Sequence, residues 1–386
     1  MTTTDQPLAV PPGLKGVAVT GTTLGDVRGE EGFYHYRQYS AVDLAATRHL
    51  EDVWRLMLDG ALPTTKDQVA AFRAETAAAR VLPAEVEQAL PAIVSASRGG
   101  PLDSLRTALS LYGAARGLRP LWDVDARARR ADLVALAAVT PVLTAALHRL
   151  NRGLPVVAPD PRLDHGANYL YMLTGDRPGP EAARAVEQYL ILTVDHGFNA
   201  STFTARVIAS TGADAAAAVV GALGALSGPL HGGAPSRALD TLDAIGTPEA
   251  AEPYVRDLLA RHERVMGFGH AVYRTLDPRS EMLREVARSL GGPLVDLAVE
   301  VEGIILALLA ETRPARPLYT NVEYYAGVVM NACGIPRDMF TATFAVSRVI
   351  GWLANVAEQA DERHLIRPSA RYVGPEPPAP VPPEPG

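Results

Sequence analysis

Three histidines have neighbours that suit them to chemistry. His196 lies in the segment VDHGFNAST, His231 in GPLHGGAPSRA and His270 in GFGHAVYRTLDPR, and each is next to a glycine at an apparent turn or helix start. Glycine allows the backbone to approach a ligand closely, and a helix start offers free N–H donors. A single histidine in such a place is more often structural, but three of them favour a functional site.

Several arginines accompany the histidines. Arg274 and Arg279 follow the third histidine, Arg348 lies among apolar residues in FAVSRVIGW, and Arg367 lies in HLIRPSARY. A buried guanidinium needs an anionic partner, which could be one of the chain's own acids, such as Asp277. Together with the histidines, these arginines also suit a small polycarboxylate substrate and proton transfer beside a carbonyl group.

One carboxylate lies in an unusual setting. Glu323 is the acidic residue of LYTNVEYYAG, where aromatic and apolar residues surround it. It could cap a helix, lie harmlessly at the surface or act as a base. The local sequence does not decide among these three roles.

Other kinds of chemistry fit the sequence poorly. The three histidines are 35 and 39 residues apart, without an H-E-x-x-H pair or a Cys/His cluster, so we expect no metal site. The segment GFGHAV does not match G-x-G-x-x-G, and no G-x-S-x-G elbow is present. Cys333, in MNACGIPRDM, has no evident base beside it, and we interpret it as a core cysteine.

The elements that must position these residues are mostly helices. In LEDVWRLMLDG, Val53, Leu56, Met57 and Gly60 follow the i, i+3, i+4, i+7 pattern, and the glycine is a C-cap signal. Thr65 is suited to be the N-cap of the next helix. Alanine-rich runs at residues 181–194, 213–227 and 298–311 continue the pattern.

The N-terminal region carries a strand signal. The segment GVAVTGTTLGDVRGEEGFYHYRQYS has two alternating stretches around a region rich in glycine and aspartate. The sequence therefore predicts a mainly α fold with a small N-terminal β element.

Glycine clusters suggest how the chain is divided. The segments SGPLHGG and MGFGH interrupt the helical pattern. They indicate a small domain at residues 229–336, inserted into a large helical domain formed by residues 13–228 and 337–373. We expect residues 1–12 and the proline-rich residues 374–386 to be disordered tails.

Composition limits the partners and the compartment. The chain has 386 residues and a net charge of −7, which argues against nucleic-acid binding. Of its 36 basic residues, Lys15 and Lys66 are the two lysines, so an anion site must be built from arginine. The single cysteine cannot form an intrachain disulfide, and residues 133–147 form an apolar run interrupted by Pro141, too short to span a membrane. We therefore expect a cytoplasmic protein.

Five ordered segments resemble the citrate synthase family. They are ANYLYMLTG, DHGFNASTFTARV, GPLHGGAPSRAL, RVMGFGHAVYRTLDPR and MFTATFAVSRVIGWLANVAEQ, and the likeness extends over residues 13–373. The resemblance is to the short bacterial and archaeal form. It implies an all-helical homodimer of two-domain chains that condenses oxaloacetate with acetyl-CoA and hydrolyses citryl-CoA to citrate and CoA. It implies no metal and no permanently bound cofactor.

The resemblance also implies roles for individual residues. His231 would stabilise the enol of the thioester, His270 would bind the oxaloacetate ketone, and Glu323 would take the methyl proton. Four residues would hold the oxaloacetate carboxylates, the last of them from the partner subunit: His196, Arg279, Arg348 and Arg367. Seven residues would lie along the acyl-CoA: Val265, Met266, Gly267, Phe268, Gly269, Arg274 and Asn321.

The chain departs from the family pattern at Glu323, where aspartate is usual. The added methylene moves the carboxylate by about 1.5 Å if the side chain is extended, and a misplacement of about 1 Å can cost on the order of 10²-fold in rate. Three functions therefore stay open: a citrate synthase, a 2-methylcitrate synthase that uses propionyl-CoA, and a catalytically impaired relative with a binding or regulatory role.

Overall fold

Helices make up most of the protein, as the sequence predicts. The computed structural model describes residues 9–229, 231–232, 234–270, 272–315 and 317–382, so residues 1–8 and 383–386 of the predicted tails lie outside the described residues. The helices are Ala41–Thr47 (α1), Leu50–Asp59 (α2), Lys66–Ala78 (α3), Ala84–Ala96 (α4), Pro101–Ala115 (α5), Ala126–Asn151 (α6), His165–Thr174 (α7), Pro180–Thr193 (α8), Ala200–Ala209 (α9), Ala215–Leu226 (α10), Ala234–Ile245 (α11), Pro248–Ala260 (α12), Pro278–Leu290 (α13), Pro293–Thr312 (α14), Val322–Ala332 (α15) and Phe340–Glu362 (α16). Short 3₁₀ turns lie at Pro12–Leu14 and Arg337–Met339.

A small antiparallel sheet lies near the N-terminus. Its strands are Gly25–Arg28 (β1), Phe33–Tyr36 (β2) and Tyr39–Ser40 (β3), in the order β1-β2-β3. The sheet uses the later part of the predicted β region. The alternating residues 16–20 do not form a strand, and most of them are exposed, so they lack a core face to cover.

Local signals in the sequence set several helix ends. Helix α2 ends at Gly60, whose φ of 82° is the left-handed conformation that glycine adopts without strain. Helix α3 begins after Thr65, whose side chain accepts a hydrogen bond from the amide of Gln68. Both predicted caps are confirmed.

Two long apolar helices form the centre of the core. Helix α6 contains the predicted buried run, and α16 packs against α2, α6, α8 and α9. Both stretches are long and apolar enough to cross a membrane, but 94% of the apolar window at Ala126–Asn151 and 89% of that at Arg337–Glu362 is buried inside the protein. Their apolar surfaces are therefore already covered by neighbouring helices.

The helices of residues 229–336 pack mainly on one another. Helix α13 packs against α15, α11 against α15, and α12 against α14. Contacts to the rest of the chain run through α1, α8 and α16, and through the loop before α13, where the Arg274 amide donates to the Gly29 carbonyl. Cys333 follows α15, is 9% exposed, and burial raises the pKa of its thiol to about 12, which agrees with the core interpretation.

Candidate active site

The candidate residues meet where several helix starts and loops converge. His196 lies in the loop between α8 and α9, His231 before α11, and His270 in the loop between α12 and α13. Glu323 is in the first turn of α15, and Arg348 is in the middle of α16. The site thus draws on both the helices of residues 229–336 and the rest of the chain.

The backbone fixes the tautomer of His270. Its Nδ1 accepts hydrogen bonds from the amides of Val272 and Tyr273, at 3.0 and 3.1 Å. The ring proton of the neutral imidazole is therefore on Nε2. Burial, followed by the charge of Arg279, lowers the pKa of His270 to about 4, so the ring is neutral at physiological pH.

The glycine-rich loop before His270 is hydrogen-bonded to the start of α15. The amide of Gly269 donates to the Tyr319 carbonyl at 2.7 Å, and the amide of Asn321 donates to the Gly267 carbonyl at 2.9 Å. The Asn321 side chain also donates to the Gly269 carbonyl at 2.8 Å. Gly267 has a φ of 89°, and a Cβ there would lie 2.8 Å from the ring of Tyr324, so this close approach requires glycine.

The surroundings of Glu323 give its carboxylate a high proton affinity. Its amide is held by the side chain of Asn321, the N-cap of α15, at 3.1 Å. The side chain is half-buried, and among the described residues no donor makes a hydrogen bond to its carboxylate. Burial raises the pKa of Glu323 to about 7, although the charges of Arg279 and Arg348 lower it in part.

His231 belongs to a polar network beneath the cleft. Its Nε2 lies 2.8 Å from the hydroxyl of Ser201, which donates to Asn199 Oδ1 at 2.8 Å and accepts from Trp352 Nε1 at 3.1 Å. Burial, followed by the charge of Arg348, lowers the pKa of His231 to about 4. The ring is therefore neutral. Ser201 has one hydroxyl proton, so the ring proton of His231 is on Nε2 while Ser201 donates to Asn199, and on Nδ1, available to a ligand, when the hydroxyl turns to donate to Nε2.

Arg279 is held by a two-pronged ion pair. Its Nε and one terminal nitrogen donate to the two carboxylate oxygens of Asp277, at 3.0 and 2.8 Å, and both residues are buried. Burial lowers the pKa of Arg279, but the adjacent carboxylate outweighs it, so the guanidinium stays charged. Asp277 also accepts from the amide of Val322, which joins this pair to the start of α15.

Arg348 presents a second buried guanidinium. Its Nε donates to the Thr193 carbonyl at 2.9 Å, and its guanidinium carbon lies 4.5 Å from the centre of the Phe344 ring. Burial lowers its pKa, and the charge of Asp195 opposes that effect. Among the described residues no side-chain carboxylate forms an ion pair with Arg348, which leaves its terminal nitrogens for an anionic ligand.

A groove leads from the surface to His270. A cavity of about 550 Å³ is lined by the Val265–Gly269 loop and Asn321, with the exposed Arg264 and Arg313 at its rim. His270 also lines an adjoining cavity of about 310 Å³ that contains Arg274. Backbone groups and arginines along this path suit a long ligand that carries phosphates.

Arg367 lies elsewhere in the chain. It lines an apolar groove of about 790 Å³ together with residues of the N-terminal segment, including Leu14 and Val17. Among the described residues no hydrogen bond joins Arg367 to the cleft. The other three predicted oxaloacetate residues are linked through His270 and through their charges. His196 and His270 have ring centres 5.6 Å apart, and a terminal nitrogen of Arg279 is 3.3 Å from His270 Nε2. Burial, and then the charges of Arg279 and Arg348, lower the pKa of His196.

Sequence reasoning missed two polar residues of the site and one contact of a third. Ser201 supports His231, and Tyr273 contacts His196 at 3.0 Å. Asp277 was considered as an arginine partner, but its bond to the start of α15 was not predicted. The two residues of each contact are up to 77 positions apart in the sequence, so no local sequence pattern predicts the contact.

A possible metal-ligand group lies apart from the cleft residues. Ligand atoms of His49, Asp164 and Glu187 fall within 4.8 Å of one another. The Glu187 carboxylate there already accepts from His49, from the amide of Leu50 and from Arg184. These contacts account for its charge without an ion.

Comparisons with known proteins show which sequences the chain is similar to. Residues 13–369 match the family profile described as citrate synthase, C-terminal domain. The chain is 38% identical to a citrate synthase of Deinococcus radiodurans over 94% of this chain and 95% of that protein, and 36% identical to citrate synthase 2 of Bacillus subtilis over 94% and 96%.

Solved structures show the same likeness. The crystal structure of citrate synthase from Pyrobaculum aerophilum matches with a TM-score of 0.88 and 34% identity, over 99% of this chain and 98% of that one. The Thermoplasma acidophilum citrate synthase, solved as a ternary complex with carboxymethyl coenzyme A and oxaloacetate, matches with a TM-score of 0.86 and 29% identity, over 96% and 97%.

Proposed function

The chain belongs to the citrate synthase family, and on this premise we propose that it joins acetyl-CoA to oxaloacetate and hydrolyses citryl-CoA to citrate and free CoA. Family membership makes it an acyltransferase of the condensing type. The observation that carries the specific proposal is the placement of Glu323. A half-buried carboxylate with a pKa of about 7 lies at a helix start, where the charges of the buried Arg279 and Arg348 act on it. The same two arginines act, respectively, on the neutral His270 and His231.

Glu323 is the proposed base, and His231 its electrophilic partner. The α-proton of a thioester is very weakly acidic, so a carboxylate removes it at a useful rate only if the developing enolate oxygen is stabilised. The neutral His231 ring can donate to that oxygen through Nδ1 once the Ser201 hydroxyl turns from Asn199 to donate to Nε2. A base with a pKa near neutrality is well matched to this task.

The other charged residues bind and orient oxaloacetate. Arg279, Arg348 and His196 are the proposed partners of its two carboxylates, and His270 donates from Nε2 to the ketone oxygen. This hydrogen bond makes the ketone carbon more electrophilic toward the enol carbon, which forms the new C–C bond. Holding both reactants in one cleft supplies the proximity that a reaction between two substrates needs.

The acyl-CoA occupies the groove that ends at His270. We assign the Val265–Gly269 backbone, Asn321 and Arg274 to its binding, because they line the two adjoining cavities. The proposed chemistry uses no metal and no permanently bound cofactor.

The proposal includes a homodimer and a moving domain. Arg367 completes the oxaloacetate site of the partner subunit, and residues 229–336 close on the large domain of residues 13–228 and 337–373. Closure excludes water until condensation is complete, which limits wasteful hydrolysis of acetyl-CoA. A cytoplasmic location fits the single buried thiol.

Thiol release tests the function. Purified protein is given acetyl-CoA or propionyl-CoA, each with and without oxaloacetate, and free CoA is followed over time. We expect oxaloacetate-dependent release that is faster with acetyl-CoA. A higher kcat/KM with propionyl-CoA would indicate a 2-methylcitrate synthase. Both thioesters must be assayed, because one methylene is worth only about 1–3 kcal/mol of discrimination and an acyl pocket can accept both. No release with either thioester, in a protein that still binds oxaloacetate, would indicate the impaired relative.

A further inference from the structure

One residue contacts three of the proposed oxaloacetate-binding groups. The Tyr273 hydroxyl lies 3.0 Å from His196 Nε2, and its amide donates to His270 Nδ1 at 3.1 Å. The centre of its ring lies 5.6 Å from the guanidinium carbon of Arg279. The side chain is 4% exposed, so these contacts are dry and geometrically constrained.

We propose that the Tyr273 hydroxyl is a positioning group, which holds His196 as a hydrogen-bond donor to oxaloacetate and fastens the two sides of the cleft together. This inference rests on the proposed function and goes beyond it, because Tyr273 acts on the substrate through His196.

The charge states leave one proton on each group, and the carboxylate of the proposed substrate then selects the direction of the hydrogen bond. Burial, and then the charges of Arg279, Arg348 and His270, lower the pKa of His196 well below its usual range, so its ring carries one proton. Burial raises the pKa of Tyr273, so its hydroxyl stays protonated. When that hydroxyl donates to Nε2, the histidine proton is on Nδ1, and among the described residues no acceptor bonds to it. If His196 Nε2 donated to the Tyr273 hydroxyl instead, Nδ1 would carry a lone pair and would repel the oxaloacetate carboxylate.

The bond joins two separate parts of the chain. His196 lies between α8 and α9, and Tyr273 lies between α12 and α13. The loop of Tyr273 also docks on the turn between β1 and β2, where the amide of Arg274 donates to the Gly29 carbonyl at 3.0 Å. A Cβ at Gly29 would lie 2.3 Å from the Val272 carbonyl oxygen, so this docking is close. In the proposed domain division, the bond from Tyr273 to His196 crosses the cleft.

Calorimetric binding of oxaloacetate tests the inference without relying on turnover. Tyr273→Phe removes one oxygen and keeps the ring over Arg279 and the amide on His270. We expect it to raise the Kd for oxaloacetate by about 3- to 10-fold, the usual range for one lost hydrogen bond. The matched control is Tyr169→Phe, which removes a buried hydroxyl bonded to Thr343 at 2.7 Å. The Kd of Tyr169→Phe for oxaloacetate should stay within about 2-fold of wild type, because in the part of the chain that the structure describes Tyr169 makes no hydrogen bond to the proposed binding residues, and effects at independent sites add to within that margin.

A double-mutant cycle with His196→Ala separates positioning from direct binding. If Tyr273 acts through His196, then Tyr273→Phe has little further effect once His196 is gone. An equal weakening in both backgrounds would overturn the inference, as would a Tyr273→Phe protein that binds oxaloacetate as tightly as wild type. Failure of the wild type to bind oxaloacetate at all would overturn the proposed function and this inference with it.

Discussion

At the scale of single residues, the proposed reaction depends on where Glu323 holds its carboxylate. We predict that Glu323→Gln lowers kcat by at least about 10²-fold, because the amide cannot accept the α-proton. The matched control is Glu85→Gln, since Glu85 is also in the first turn of a helix, α4, but is exposed. Steady-state thiol release measures both variants, and near-wild-type turnover of Glu323→Gln would remove Glu323 from the mechanism.

The kcat of Glu323→Asp tests whether the site is shaped for the longer side chain of glutamate. A gain in rate would show that glutamate is a compromise in a cleft shaped for aspartate. A loss of about 10-fold or more would show that the backbone has adjusted to the extra methylene.

The same carboxylate predicts how activity varies with pH. A base must be deprotonated, and the pKa of Glu323 is raised to about 7, so kcat/KM for the acyl-CoA should fall as pH drops through 7, by about tenfold per pH unit. His231 and His270, with pKa values of about 4, stay neutral throughout this range and do not contribute. A pH–rate profile from 5.5 to about 8.5 checks this prediction. A flat profile would contradict it, and the residual activity of Glu323→Gln should show no such inflection.

At the scale of elements, the start of α15 joins the proposed base to the Val265–Gly269 loop, which is the proposed acyl-CoA site. Asn321 caps the helix through Glu323 and donates to the Gly269 carbonyl. We predict that Asn321→Ala lowers the free energy of unfolding by about 1 kcal/mol and kcat by about tenfold or more, because the base loses its support.

The control for this variant is Thr65→Ala, which removes the cap of α3. Chemical denaturation should show a similar loss of stability in both proteins, while kcat changes only in Asn321→Ala. Equal kcat values in the two variants would mean that the cap serves stability and not catalysis.

Local patterns predicted the helices far better than the contacts between them. Gly60 and Thr65 mark helix ends because capping is decided by a few adjacent residues. The sequence placed the histidines at turns for the same reason. It could not pair Tyr273 with His196 or Ser201 with His231, since those contacts depend on how distant loops fold together.

At the scale of the whole molecule, the position of Arg367 predicts shared active sites. We expect that Arg367→Ala and His270→Ala homodimers each have little activity, and that mixed dimers regain it. In such a dimer one site combines a normal His270 with a normal Arg367 from the other chain. A purified mixed dimer should therefore have at most about half of wild-type activity, and an unsorted random mixture at most about a quarter.

Coexpression with two affinity tags isolates the mixed dimers, and thiol release measures their activity. Inactive mixed dimers, verified by native mass spectrometry, would place Arg367 outside the partner's site. As a control for the tags, two differently tagged copies of Arg367→Ala are coexpressed, and their dimers should have little activity.

The buried state of Cys333 also makes the chain convenient for spectroscopy. Its thiol is 9% exposed and has a pKa of about 12, so it should resist alkylating dyes that modify surface cysteines at once. Phe198 and Leu276 are 39% and 46% exposed and lie on either side of the bond between His196 and Tyr273. Cysteines introduced at these two positions could carry a donor and an acceptor fluorophore without first removing the native thiol. Energy transfer between them would then test whether the cleft opens and closes as proposed.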